Sequence, residues 1–550
     1  MRFLPLLLSG ALLAGCGGEV TPAPDSIFVG RILTLDPIQP ATGAIAVLDG
    51  RIVATGERET VTALAGSRTQ IVELPGVAVP GWIDAHVHVS GLGKFLETLN
   101  VQGLNKRQIR EKVAALAAGS APGEWIVGQG WDEGYFDTRA DPTAADLDSV
   151  SPGNPVVLAG IGGHSVWVNS RALQEAGIRA DTPDPAGGRI VRDVSGRATG
   201  LLLERAEDLV QAVMPKSDAP AALERQMRAA LAQYARWGLT GVHDAGVGLE
   251  EIAIYKALAK NGELPVRVYA MAHGKPAVDS FLASGPEVGL FDDYLTIRSF
   301  KIYVDGALGA RGAEMSEPYA DAPGTSGLQQ MSDSELDAFI TAARSKGFQV
   351  NAHVIGDLGV ERQLDAIERN GVTAAERFRL EHASIVSPRN VPRFAELGVI
   401  ASMQPVFIGE YQRWGVERVG TERAAWIMPI WDLLASGAIV ASGTDFPASD
   451  TGDPRHTLFA LVTRRGFDGR PDGGWFPEQR IDLDTALRTM SGYAAYGAFQ
   501  ENETGRLTVG QHADFTVLSE DPGDIAPGSL RSIDVTLTVV GGRITFGNPK

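Results

Sequence analysis

The chain has 550 residues, of which 44% are hydrophobic and 21% charged, so it can bury a large core and does not have the composition of a disordered chain. Lysine plus arginine number 49 against 67 acidic residues, a net charge of −18, which argues against a nucleic-acid-binding role. A single cysteine excludes an intramolecular disulfide and a Cys-rich zinc site, so any transition-metal site must draw on the nine histidines and on carboxylates.

In chain order, the first element is a targeting pattern. Arg2 precedes an apolar run, Phe3 to Ala14, that is too short to span a bilayer. The run ends in Leu13-Ala14-Gly15-Cys16, which resembles the lipobox of bacterial lipoproteins. Residues 1–15 are therefore read as a lipoprotein signal peptide and Cys16 as the lipidation site. Residues 16–25 are read as a linker. The expectation is an exported lipoprotein held to a membrane by its N-terminal lipid, on the periplasmic or cell-surface side.

Short β-rich runs follow, among them Ile27-Phe28-Val29, Ala44-Ile45-Ala46-Val47 and Arg51-Ile52-Val53-Ala54, with Asp49-Gly50 as a hairpin signal. The C-terminus reads alike, through Asp514–Leu518, Val535–Val540 and Arg543–Phe546. Segments 26–76 and 505–550 are thus expected to form one composite β-sandwich. Between them, residues 77–504 alternate strands and helices. Eight apolar strands are predicted: Val77–His86, Leu239–His243, Val266–Met271, Ile297–Tyr303, Gln349–His353, Phe378–His382, Val399–Met403 and Ile439–Asp445. Fully apolar strands alternating with helices imply a parallel sheet, and eight units imply an α/β fold of the (β/α)8 TIM-barrel type. The interval 91–236 is too long for one βα unit and is read as an insertion after the first strand.

Several of these strands end in a metal-capable side chain. The first ends His86-Val87-His88, and residues two apart in a strand point the same way. Lys301 lies in the fourth, His353 ends the fifth, His382 the sixth and Asp445 the eighth. Strand C-termini form the active-site face of such barrels, so these residues should converge. His243 ends the second strand, with substrate contact and packing evenly weighed. His273 ends the third, His456 is read as structural, and His512 as a surface residue of the terminal β domain. Asp305-Gly306 is read as a turn. No phosphate-binding loop, dinucleotide fingerprint, G-x-S-x-G or H-E-x-x-H motif is present.

Together, Pro80–His88, Ser299–Gly306, Asn351-Ala352-His353, Leu380-Glu381-His382-Ala383 and Ser442–Pro447 resemble the amidohydrolase superfamily, and most closely its amidohydrolase-3 type, to which N-substituted formamide deformylases belong. Gly162–Ser170 and Thr199–Glu204 in the insertion match as well. The resemblance implies a binuclear metal centre. His86, His88 and Asp445 would hold one divalent ion and His353 and His382 the second, with Lys301 as a carboxylated bridge. Zinc suits this ligand set best, while manganese, iron and nickel are compatible. The metals would share a hydroxide that attacks the substrate, and Asp445 would carry the proton to the leaving amine. The implied function is hydrolysis of a non-peptide C–N bond in a small molecule such as an N-acyl amine, formamide or cyclic amide. An ester, lactone or carbamate hydrolase using the same centre, and a non-catalytic binding lipoprotein, are the rival readings. His164 and Arg311 are carried as substrate-contact candidates beside His243, and the oligomeric state stays open, with a homodimer as one outcome because barrels of this type commonly pair.

Overall fold

In the computed structural model, residues 22–138, 140–161, 165–185, 187–215 and 219–549 are described. Cys16, the signal segment and His164 lie outside them. Among the described residues, no helix is long and apolar enough to cross a membrane.

The eight expected barrel strands are all present. They run Trp82–Val87, Leu239–Val247, Arg267–Ala272, Leu295–Tyr303, Gln349–Val354, Arg379–His382, Ile400–Met403 and Val440–Ser442, paired in parallel in that order. Their burial is nearly continuous, because helices cover the outside and side chains fill the inside. The sheet is nearly closed. Beyond the strand ends, the Asp445 N–H donates to the His86 carbonyl at 2.7 Å and the His88 N–H to the Phe446 carbonyl at 3.3 Å. Asp84, in the first strand, accepts from the Thr444 N–H at 2.9 Å and hydroxyl at 2.7 Å. Gly443 makes this approach feasible, since a Cβ there would stand 2.5 Å from the His86 nitrogen.

The stretch read as one strand, Val77–His86, is two. Val77–Pro80 pairs antiparallel with Phe515–Leu518 and belongs to the terminal β unit, and the barrel begins at Trp82. Gly81 is the joint: a Cβ there would meet the Thr240 hydroxyl at 2.1 Å. The unit built from both termini is one hydrogen-bonded path of strands rather than two separate sheets. Its order is Arg543–Gly547, Val535–Val540, Phe515–Leu518, Val77–Pro80, Ser26–Leu33, Ala41–Leu48 and Arg51–Gly56, with Gln70–Glu73 also beside Ser26–Leu33. Phe28, Ile45, Phe515, Val517 and Leu537 form its core.

Within the interval 91–236 the chain builds a six-stranded sheet of its own, with strands from Leu99–Asn100 to Ala198–Glu204. Helices Val89–Glu97 and Ala219–Arg236 connect it to the barrel and pack on each other.

Candidate metal centre

The strand-end residues converge. Asp445 Oδ1 lies 2.9 Å from His88 Nε2 and 3.4 Å from His86 Nε2. Lys301 Nζ is 3.3 Å from His86 Nε2. The His382 ring sits 4.8 Å from that of His86 and 4.5 Å from that of His353. His86, Lys301, His382 and Asp445 are buried, and His88 is partly open to the barrel mouth. Two of the contributing backbones are left-handed, His382 at φ 73° and Asp445 at φ 61°. Non-glycine residues hold that conformation at a cost, which functional sites commonly retain.

The donor chemistry suits cations. Burial, reinforced by the Lys301 charge, lowers His86 to about 4; burial lowers His382 to about 3, and burial together with His382 lowers His353 well below its ordinary value. All three imidazoles are neutral at pH 7 and offer lone pairs. Burial opposes ionisation of Asp445, but His86, His88 and His382 hold its carboxyl well below the usual range. His353 Nε2 is buried without a hydrogen-bond partner among the described residues. Tetrahedral ligation at about 2.0–2.1 Å places donor atoms roughly 3.3 Å apart, which the 3.4 Å between His86 and Asp445 matches. His86, His88 and Asp445 bring three ligand atoms within 4.8 Å of one another. Lys301 is pushed down by burial, toward the neutral amine that carbamate formation requires.

The aiming groups were not legible in the strand-end pattern. His86 Nδ1 meets Glu381 Oε2 at 2.5 Å, which leaves Nε2 for a metal. Glu381 is buried, yet Arg379 and His86 hold it well below the carboxylate range. Arg379 donates to Glu381 Oε1 at 2.7 Å, to the Ala85 carbonyl at 2.6 Å and to Ser402 Oγ at 2.8 Å. His382 Nδ1 meets Gln404 Oε1 at 2.8 Å, which likewise frees Nε2. Asp305 is no mere turn: its buried carboxyl accepts from the Ile355, Gly356 and Glu314 N–H groups and lies 3.8 Å from His353 Nε2. The sequence signal for the first network is Arg-x-Glu inside an otherwise apolar strand, two charges on one face.

Four further histidines and Arg311 lie outside the cluster, and one of them, His512, is not the surface residue expected. His243 is buried inside the barrel, where its Nδ1 accepts from Arg379 Nη1 at 3.0 Å, so it packs against the Arg379–Glu381 pair. Arg311 forms a two-pronged pair with Asp321, at 3.1 and 2.8 Å. His512 is fully buried and meets Asp293 at 2.9 Å, because the terminal sheet lies against the barrel floor. His273 Nδ1 donates to the Lys301 carbonyl at 3.0 Å, and His456 stacks on Phe467.

A model of the amidohydrolase family matches residues 75–546. The YtcJ protein of Bacillus subtilis strain 168 is 33% identical, over 94% of this chain and 98% of its own. The N-substituted formamide deformylase of Arthrobacter pascens is 27% identical, over 94% and 98%. An uncharacterized metal-dependent hydrolase from Pyrococcus furiosus superposes with a TM-score of 0.72 at 27% identity, covering 90% of this chain and 99% of that one. From strand order to full-length match, the chain belongs to the amidohydrolase family.

Proposed function

We propose that the protein is a metal-dependent hydrolase of a non-peptide C–N bond in a small molecule, an N-acyl amine, formamide or cyclic amide. The observation that carries this reading is the convergence of His86, His88 and Asp445 on one cation-sized space, with Lys301, His353 and His382 beside it. Family membership, the formamide deformylase relative and the metal-dependent hydrolase structure support it.

In this reading His86, His88 and Asp445 would hold one divalent ion and His353 and His382 a second, with Lys301, if carboxylated, contributing to both; zinc would suit this donor set best. Bound ions would supply Lewis-acid polarisation of the scissile carbonyl. The chain's own groups do the rest. Asp445, ionised at pH 7, accepts a proton from the attacking water and hands it to the leaving nitrogen. Glu381 and Gln404 keep the His86 and His382 rings aimed. The proposal includes export and lipid anchoring through Cys16.

Metal analysis of protein expressed from Gly17 onward tests the reading. About two transition-metal ions per chain, with release of amine from N-acyl amines, is the expected result. No bound metal, and no activity on adding zinc or manganese, would sink it.

A further inference from the structure

The barrel mouth carries a second polar group that the metal centre does not use. Helix Ile408–Val419 opens just after the seventh barrel strand. Phe407, immediately before it, packs its ring 6.4 Å from that of His382 and 5.6 Å from that of Tyr411. Residues three and four apart share a helix face, so Glu410 stands on the side of Phe407 that looks toward the centre. Asp450 reaches the same helix from the loop after Asp445: a Cβ on Gly409, the residue before Glu410, would stand 3.5 Å from Asp450 Oδ2. Asp132 and Tyr135 arrive from the insertion.

Arg413 ties the group together. Its Nη1 is 3.3 Å from Asp450 Oδ2 and donates to the Tyr135 hydroxyl at 2.9 Å, while Nη2 is 3.0 Å from Asp132 Oδ2. Two carboxylates thus pair with one guanidinium. The Asp450 side chain is only 2% exposed. Asp450 Oδ1 and Glu410 Oε1 are shut from solvent and have no hydrogen-bond partner among the described residues. Burial and the neighbouring Asp450 push Glu410 up, and burial and Asp132 push Asp450 up. Unpartnered buried carboxyl oxygens are costly, and a fold that keeps them calls for a donor from elsewhere.

The chemistry of that donor is constrained. A metal does not fit: among the described residues, three metal-capable atoms come within 4.8 Å of one another only at His86, His88 and Asp445 and at Asp292, Asp293 and His512. An anion does not fit either, since Arg413 is already engaged by two carboxylates. We propose that Glu410 and Asp450 form a subsite for a positively charged group of the substrate, an ammonium, amidinium or guanidinium on the part remote from the scissile bond. The position of that bond rests on the hydrolase reading above. The natural substrate class is then an N-acyl derivative of a diamine or of a similarly cationic amine.

The test uses the full metal-loaded chain and three amides of similar length: monoacetylputrescine (cationic), N-pentylacetamide (neutral) and N-acetyl-γ-aminobutyrate (anionic). Binding is read by calorimetry and hydrolysis by released amine. The cationic amide should bind about tenfold more tightly than the neutral one, equivalent to about 1.4 kcal/mol, and the anionic one most weakly. In Glu410→Gln and in Asp450→Asn, each checked for folding by its thermal melt, that advantage should shrink to about threefold or less. No advantage for the cationic amide in the wild type, a preference for the anionic one, or an advantage unchanged in both variants overturns the subsite. Should a variant fail to fold, the charge order in the wild type still decides. Selective binding without hydrolysis keeps the subsite and defeats the hydrolase reading, and hydrolysis without charge selectivity does the reverse.

Discussion

Arg379–Glu381 and Arg267–Asp514 are both buried arginine–carboxylate pairs with close contacts at 2.7 Å, one beneath the metal centre and one at the barrel floor. They differ in where the carboxylate spends its remaining lone pairs. Glu381 turns an oxygen to the His86 ring, so its pair orients a candidate metal ligand. Asp514 accepts from the Gly541 N–H at 2.7 Å, and Arg267 from its other side donates to the Asp292 carbonyl at 2.9 Å, so this pair fastens the terminal sheet to the barrel. Burial and pairing are the same in both. The third partner assigns the job.

The largest expected effects should fall on opposite ends of this contrast. At the upper end, Asp445→Asn should lower kcat by about 100-fold or more while the thermal melt stays near wild type. At the floor, Arg267→Met leaves Asp514 buried and unpaired and should cost about 3–5 kcal/mol in denaturant unfolding. The metal content of the chains that remain folded should not change, and a drop there would break the contrast.

Glu381→Gln should weaken metal affinity by about 10–100-fold in competition with a chelator, because His86 loses its aiming partner. Unchanged affinity would move Glu381 into the same structural class as Asp514.

Acid titration sharpens the contrast further. In the metal-free protein His86 stands at about 4 and His382 at about 3, below the value of about 6.5 for an unfolded histidine. The unfolded chain therefore takes up protons first, and these two sites lower stability as pH falls from about 6.5 toward about 4. Within the folded protein, protons reach His86 and His382 only near the lower values, so both rings should stay neutral from pH 7 to about 5. Protonation of either ring centred near pH 6.5, read from its histidine NMR signals, would contradict the burial of these rings. The smallest effect belongs to Arg311→Ala. Its pair with Asp321 is partly exposed, so stability should change by about 1 kcal/mol or less and turnover should not move.

Much of this site was legible because an α/β barrel gathers strand-end side chains at one face, and His86, His88, Lys301, His353, His382 and Asp445 were readable from that rule alone. Glu381 was not. It directly precedes His382, and strict alternation would send the two to opposite faces. The left-handed backbone at His382 returns its ring to the centre while Glu381 still points inward, so neighbouring residues both serve the site. The eight strands were legible from their apolar runs, whereas the split at Gly81 was not, since both halves are equally apolar. His512 looked exposed because nothing local shows that the terminal sheet rests on the barrel floor. That contact is made by Arg267 and Asp514, which no periodicity links.

The pairing of Val77–Pro80 with Phe515–Leu518 also sets an order of events during synthesis. The N-terminal strands leave the ribosome long before their C-terminal partners exist, and the whole barrel is made in between. Until residues 515–518 arrive, Val77–Pro80 presents an open apolar edge, the kind of surface on which nascent chains mispair. A nascent chain of this protein must guard that edge for nearly the whole of its translation, so its yield should depend more on chaperone supply and C-terminal integrity than on the stability of the finished fold.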